Sequence, residues 1–277
     1  MANVLKTEKQ IAVISALAEG SSIRSIERMT GINRNTIMNL GVRIGQGCAR
    51  LLDAKMHDLT CENLQFDEIW GFIGKKQKHL TPYDDHTKGD VWTFCAIDAD
   101  TKLIPSFKVG KRTAETTQTF VKDVASRIKN RPQISTDGLA KYVDAVDLAF
   151  GANVDYGMII KTYSHEATGE HHHERRYSAP EVVSVEKSRI MGHPKADLIS
   201  TSYIERSNGT MRQHIRRLTR LTYAFSKKIE NFEAAVALHF AYYNLVRTHG
   251  TLKMTPAMAA GVERSFWSVG DLVEATR

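Results

Sequence analysis

Apolar positions in the first fifty residues recur at helical spacing. Ile11, Ile14, Ala16 and Leu17 mark one helix over 7–19 that stops at Gly20, and a short second helix covers 22–29 and breaks at Thr30-Gly31. A third opens at Asn33, a good N-cap residue, and carries Ile37, Leu40 and Ile44 on one face. After a connector the pattern changes, and 64–73, 91–97 and 103–109 read as strands. The last two are joined by the hairpin turn Asp98-Ala99-Asp100-Thr101-Lys102. A helix over 114–128, a short strand at 133–136, a helix over 139–150 and a strand over 154–163 follow. Residues 163–199 are polar and histidine-rich, broken by Pro180 and Pro194, and read as an inserted loop or small subdomain. Helical patterns resume at 203–218 and 232–245.

Three antiparallel strands followed by alternating helix and strand is the element order of a ribonuclease-H-like fold. The expected organisation is an all-α helix-turn-helix domain over 1–52, a linker over 53–63, an α/β domain over 64–218 with the insert 163–199, and a C-terminal helical extension over 219–277. The α/β domain is expected to hold a mixed sheet flanked by helices.

Charge changes this picture by its position. The 277 residues carry a formal net charge of +7, which favours an acidic partner, and nucleic acid is the commonest one. Between Glu205 and Lys228 stand seven basic side chains, Arg206, Arg212, Arg216, Arg217, Arg220, Lys227 and Lys228, with no acid among them. Cys48, Cys61 and Cys95 are far apart and form no CxxC pair, which argues against a disulfide framework or a thiolate zinc site. With no apolar leader and no run long enough to cross a bilayer, a cytoplasmic, nucleoid-associated protein without a membrane partner is expected.

The stretch SIRSIERMTGINRNTIMNL over 22–40 has helix-turn-helix spacing, with Ile23 and Ile26 packing the first helix and Ile32, Ile37 and Leu40 anchoring the second. Arg34, Asn35, Asn39 and Arg43 then occupy the exposed face of the second helix, and such side chains suit base edges and phosphates. Glu27 is a departure, because a small residue usually relieves close packing there. An ordinary three-helix bundle fits the same pattern.

Three acids fall where such a fold would bring them together: Asp67 mid-strand, Asp137 after the short strand, and Glu205 on the first turn of the 203–218 helix. Each has a plainer explanation. Asp67-Glu68 fits the polar face of an edge strand, Asp137-Gly138 a tight turn or cap, and Ser202-x-x-Glu205 a capping box. Arg212 and Asn208 share the helix face of Glu205, where a cation suits a phosphate. Phosphodiester attack needs an activated oxygen nucleophile and a stabilised leaving oxygen, which two Mg²⁺ ions about 3.5–4 Å apart provide. Asp67 would bridge both ions, and Asp137 and Glu205 would each complete one site, with Mn²⁺ a natural substitute. Arg206, Asn208, Arg216, Arg217 and Arg220 are further candidates for contact with DNA.

The stretches Phe66-Asp67-Glu68-Ile69-Trp70, Ile134-Ser135-Thr136-Asp137-Gly138 and Thr201-Ser202-Tyr203-Ile204-Glu205-Arg206-Ser207-Asn208, with Tyr242-Tyr243-Asn244-Leu245-Val246-Arg247-Thr248-His249 and Thr255-Pro256-Ala257-Met258-Ala259-Ala260, resemble the insertion-sequence-one (IS-one) family of bacterial transposases. The resemblance runs nearly end to end. It implies a Mg²⁺-dependent DDE site in a ribonuclease-H-like fold, recognition of terminal inverted repeats, and action as a homodimer or higher homo-oligomer. Carried over by position, the triad is Asp67, Asp137 and Glu205, with Arg212 as the following basic residue. The N-terminus lacks the cysteine pairs of the zinc-binding segment that some members carry, so no zinc is expected there. His165, His171, His172, His173 and His193 of the insert suit a solvated loop better than a metal site. The function implied is a DNA transposase that binds and cleaves element ends and joins their 3′-hydroxyls to target DNA. The alternatives are a DNA-binding regulator or domesticated protein with an idle site, and a nuclease of the same fold.

Overall fold

The computed structural model describes residues 5–163 and 182–277. His165, His171, His172 and His173 of the insert lie outside the described residues.

Helices α1 (Thr7–Ala18), α2 (Ile23–Thr30) and α3 (Arg34–Lys55) open the chain. Ser22 caps α2, accepting from the Ser25 amide, and Gly31 ends it in the left-handed region at φ 67°. At α3 the Asn33 side chain accepts from the Asn35 amide, and Glu27 accepts from the Arg34 amide at 2.9 Å. The unexpected Glu27 thus has a physical role: it satisfies an orphan donor at the start of α3.

Among the described residues the sheet has six strands in the order β3-β2-β1-β4-β5-β6. Strands β1 (Asn63–Ile73), β2 (Gly89–Asp98) and β3 (Phe107–Gly110) are antiparallel neighbours, and β4 (Gln133–Thr136) and β5 (Asp155–Tyr163) run parallel to β1. Helices α4 (Ala114–Arg127) and α5 (Lys141–Phe150) supply the crossovers. The expected third strand over 103–109 begins late because Ile104 pairs instead with a side chain. Buried Asn244 accepts from its amide and donates to its carbonyl at 3.0 and 2.9 Å, imitating a strand neighbour.

The insert, expected as a loop or small subdomain, contributes a strand to the sheet where it is described. Residues Val182–Met191 form β6, antiparallel to β5 at the sheet edge. Val182, Val183 and Val185 are half or more exposed, so solvent on both faces hides the alternation that marks a strand. The chain continues through α6 (Ser202–His214), α7 (Ile229–Ala241), a wide helical turn at Tyr242–Val246, and the short helices α8 (Pro256–Ala259) and α9 (Val269–Ala275). Helix α6 ends sooner than the pattern over 203–218 predicts, and a 3-10 turn covers Arg216–Leu218. Among the described residues no helix is long and apolar enough to cross a membrane.

One apolar cluster joins Val13, Ile26 and Ile37 of the first helices to Phe66, Phe94, Phe120 and Tyr142 around the sheet and to Phe232 and Phe240 of α7. The helix α3 lies on α7 so closely that a Cβ on Gly45 would stand 2.1 Å from the Ala234 carbonyl oxygen. Buried Arg127 ties the end of α3 to α4, pairing with Asp53 and Asp123 and donating to the Met56 carbonyl. Gly45→Val is therefore expected to force α3 from α7 and to cost about 2–3 kcal/mol of stability, as overpacking does. Thermal unfolding reads this directly, and a variant as stable as the wild type would contradict the close contact.

Candidate metal centre

Strand β1 pairs with β2 along its whole length, opposing Asp67 to Cys95 and Glu68 to Phe94. Its parallel pairing with β4 covers only Asn63, Leu64 and Gln65 against Gln133, Ile134 and Ser135. Beyond that register the two strands part, and Asp67 and Asp137 stand just past the parting. One oxygen from each of Asp67, Glu68 and Asp137 lies within 4.8 Å of the others. Successive strand residues face opposite sides of a sheet, so a cluster holding both Asp67 and Glu68 forms where the sheet is open.

The three carboxylates are held differently. Asp67 accepts from the Glu68 amide and from the Asn208 side-chain amide, both at 2.8 Å. Asp137 accepts from the Leu139 amide at 3.1 Å, a local turn that fixes it ahead of α5. Glu68 is buried, ion-paired to Arg112, and accepts a hydrogen bond from the Tyr142 hydroxyl at 3.1 Å.

Electrostatics follow from this crowding. Burial, then the neighbouring Glu68, push Asp67 up from 3.8 to about 7, with Asp137 and Glu205 adding to the rise. Burial and Asp137 also raise Glu68, against the pull of Arg112. Burial first, then these carboxylates, raise Cys95 and Tyr142 as well. The Asn208 Oδ1 is buried without a hydrogen-bond donor. Hard oxygens, surplus negative charge and an orphaned amide oxygen fit a divalent cation of the Mg²⁺ or Mn²⁺ class.

Glu205 sits at the edge of this set. The N-cap of α6 is Thr201 and Ser202 forms no cap, so the capping box, the plainer alternative for Glu205, is absent. Glu205 instead accepts from the Thr201 hydroxyl at 2.6 Å and pairs with Lys161 of β5 at 2.5 Å. Its charge reaches Asp67, but its carboxylate is outside the close group of three. Gln65, buried on β1, positions this helix by accepting from the Tyr203 and Ile204 amides at 2.9 and 3.1 Å. Arg212 forms no ion pair among the described residues and donates to the Leu218 carbonyl at 3.3 Å. Of the residues singled out in the sequence, Asp67, Asp137 and Asn208 stand together, and Glu68, Arg112, Tyr142, Lys161 and Gln65, which are not singled out there, complete the surroundings. Glu68 had a signal: it alternates with Phe66 and Trp70 on one strand face, which marks a buried carboxylate in need of a partner.

The basic candidates divide by exposure. Arg34, Asn35, Asn39 and Arg43 are exposed along α3, and Arg43 also donates to Gln10 at 3.1 Å. Arg206, Arg216 and Arg220 are exposed. Arg217 is drawn inward and donates to the Ser226 hydroxyl at 2.9 Å, and burial lowers its pKa. The one insert histidine within the described residues, His193, donates its amide to Asp155 at 2.6 Å.

No protein-family model matches the chain, and no curated protein sequence matches it. Among solved structures it is similar to a piggyBac transposase synaptic complex with hairpin DNA, at 10% identity over 98% of this chain and 69% of that one, with a TM-score of 0.44. It is also similar to a Mos1 transposase paired-end complex with left transposon end, at 13% identity over 56% of this chain and 60% of that one, with a TM-score of 0.23. Neither superposition is close enough to assign a fold.

Asp67 binds its proton more tightly folded, at about 7, than at the ordinary value of 3.8. Its contribution to stability is therefore complete below 3.8 and is lost as pH rises through about 7. Asp67→Asn carries no charge at any pH. Without divalent cations it is expected to exceed the wild type in stability by on the order of a few kcal/mol near pH 8.5 and to lose that advantage near pH 4. Thermal melts at the two pH values decide it, and a gap that does not change with pH would contradict the charge crowding.

Proposed function

We propose that this chain is a DNA transposase of DDE type, with a ribonuclease-H-like catalytic domain and an N-terminal helix-turn-helix, similar to the IS-one family. The observation that carries the proposal is the convergence of Asp67 and Asp137 at the parting of β1 and β4, with Asp67 titrating near neutrality and the helix of Glu205 bonded to it through Asn208. Supporting it are the sheet order, with β4 and β5 parallel to a central β1, and the sequence motifs around the three acids.

In this reading Asp67, Asp137 and Glu205 would hold two Mg²⁺ ions. When bound, such ions activate an oxygen nucleophile and stabilise the leaving oxygen of a phosphodiester. The chain's own residues arrange this. Asn208 fixes the rotamer of Asp67, while Gln65 sets the start of α6 and so the reach of Glu205. To join the other two, Glu205 would have to release Lys161, which would leave Lys161 available to a phosphate oxygen. Glu68, locked by Arg112 and Tyr142, positions β1 and deepens the negative potential. Arg34, Asn35, Asn39 and Arg43 read the ends of the element from α3, and Arg206, Arg216 and Arg220 neutralise phosphates beside the carboxylates. Arg212 and Arg217 support that surface from below through Leu218 and Ser226. Water as the nucleophile nicks a strand, and a DNA 3′-hydroxyl joins it to target DNA. Work on two ends at once suits a homo-oligomer.

The Lys161–Glu205 pair favours a second reading, a DNA-binding regulator whose acidic site is idle, because an ammonium group already neutralises the third carboxylate. Labelled element ends incubated with Mg²⁺ or Ca²⁺ separate the two. Cleaved and joined products are expected with Mg²⁺ alone, abolished by Asp67→Asn, Asp137→Asn and Glu205→Gln while end binding persists. Glu68→Gln should cost about 10–100-fold, the range of a residue that positions a ligand. Binding without any product favours the regulator, cut but unjoined ends a nuclease, and full activity of Glu205→Gln would assign the third ligand to Glu68.

A further inference from the structure

The segment that follows α6 exposes apolar groups where a basic surface would be expected to be polar. Tyr223 is 100% exposed and Leu221 84% exposed, among the exposed cations Arg216, Arg220, Lys227 and Lys228. Leu221 adopts φ 57°, a left-handed conformation that is strained for a side chain of its size. The strain is maintained because both ends of the segment are fastened. The Thr219 hydroxyl donates to the Arg212 carbonyl at 3.0 Å, and Arg217 holds Ser226. Ser226 also accepts from the Gly74 amide at 2.8 Å, and Phe225 packs on Phe72 with ring centroids 4.8 Å apart. A fixed base therefore carries an apolar tip into solvent.

Beside the tip runs a groove of about 680 Å³ between this segment and helices α2 and α3. Its lining is mostly apolar, with Leu17, Ile23, Ile37 and Leu238, and Arg24, Arg216 and Lys227 stand along it. Among the described residues no carboxylate lines it. A largely apolar groove whose formally charged lining groups, among the described residues, are all cations complements a ligand with flat apolar faces on an anionic backbone, which describes unpaired nucleotides. We propose that Leu221 and Tyr223 hold unstacked bases of a DNA strand, with Tyr223 as the stacking platform and Arg24, Arg216 and Lys227 on the flanking phosphates. This rests on the DNA-processing function above. The groove lies between α3 and the end of the helix that carries Glu205, so strand opening there would lie between end recognition and the carboxylates.

The test uses the full chain with a single-stranded oligonucleotide carrying 2-aminopurine and with a duplex of the same sequence. Tyr223→Ala should weaken the single strand about tenfold, within the worth of one stacked base, and remove the 2-aminopurine quenching. Duplex affinity should stay within about twofold, and Tyr223→Phe should restore both readouts because it keeps the ring. Tyr223 is fully exposed among the described residues, so an unchanged melting temperature is expected and separates binding from folding. Equal losses for both DNA forms, or no loss for either, would overturn the stacking site while leaving the transposase reading intact. Failure to bind any DNA would overturn both. A Tyr223→Ala chain that loses self-association in sedimentation, with its single-strand affinity unchanged, would assign the tip to a contact between copies and overturn the proposal.

Discussion

Carboxylates repel, and a sheet that brings Asp67, Glu68 and Asp137 within 4.8 Å of one another must be held together by other means. The parting of β1 from β4 creates the meeting point, and the surrounding apolar core enforces it. Phe66 and Leu64, neighbours of Asp67 on β1, are fully buried, as is Ile134 on β4. The strands cannot separate further without exposing these side chains, each worth about 1.5–3 kcal/mol when buried. Hydrophobic packing thus sustains an electrostatic arrangement that is unfavourable by itself.

The remaining groups divide between balance and placement. Arg112 and Tyr142 stabilise Glu68, and Lys161 stabilises Glu205, so two of the four acids have a compensating partner. Asp67 has only neutral donors and takes up a proton near neutrality in compensation. The helix α6 is bound to β1 at two places, through Gln65 at its start and Asn208 further along. Those two contacts fix which of its faces looks toward the carboxylates, and they leave the far end of the helix to carry the basic segment beyond it.

Much of this was legible in the pattern of residues. Strand β1, largely buried, reads as a mostly apolar run and stands out in the chain, and the short β4 is buried at every position. Asp67 stood out as a charge in an apolar run. Less legible were features set by distant partners. Edge strand β6 meets solvent on both faces and shows no alternation, so its residues passed for a loop. Glu205 reads as a third acid of the site, with a capping residue as the alternative, and neither reading foresees Lys161, 44 positions earlier, which pairs with its charge. Arg212 shares a helix face with Glu205 by spacing, but the Leu218 carbonyl holds its guanidinium. Spacing predicts which residues share a face and not which partner wins each side chain.

Manganese binding to the full chain, read as loss of the free-ion electron paramagnetic resonance signal, is the most direct test of a site made for divalent cations. Saturable binding to the wild type that disappears in Asp137→Asn, with the melting temperature of that variant preserved, is the expected result. No binding, or binding indifferent to the loss of Asp137, would contradict it.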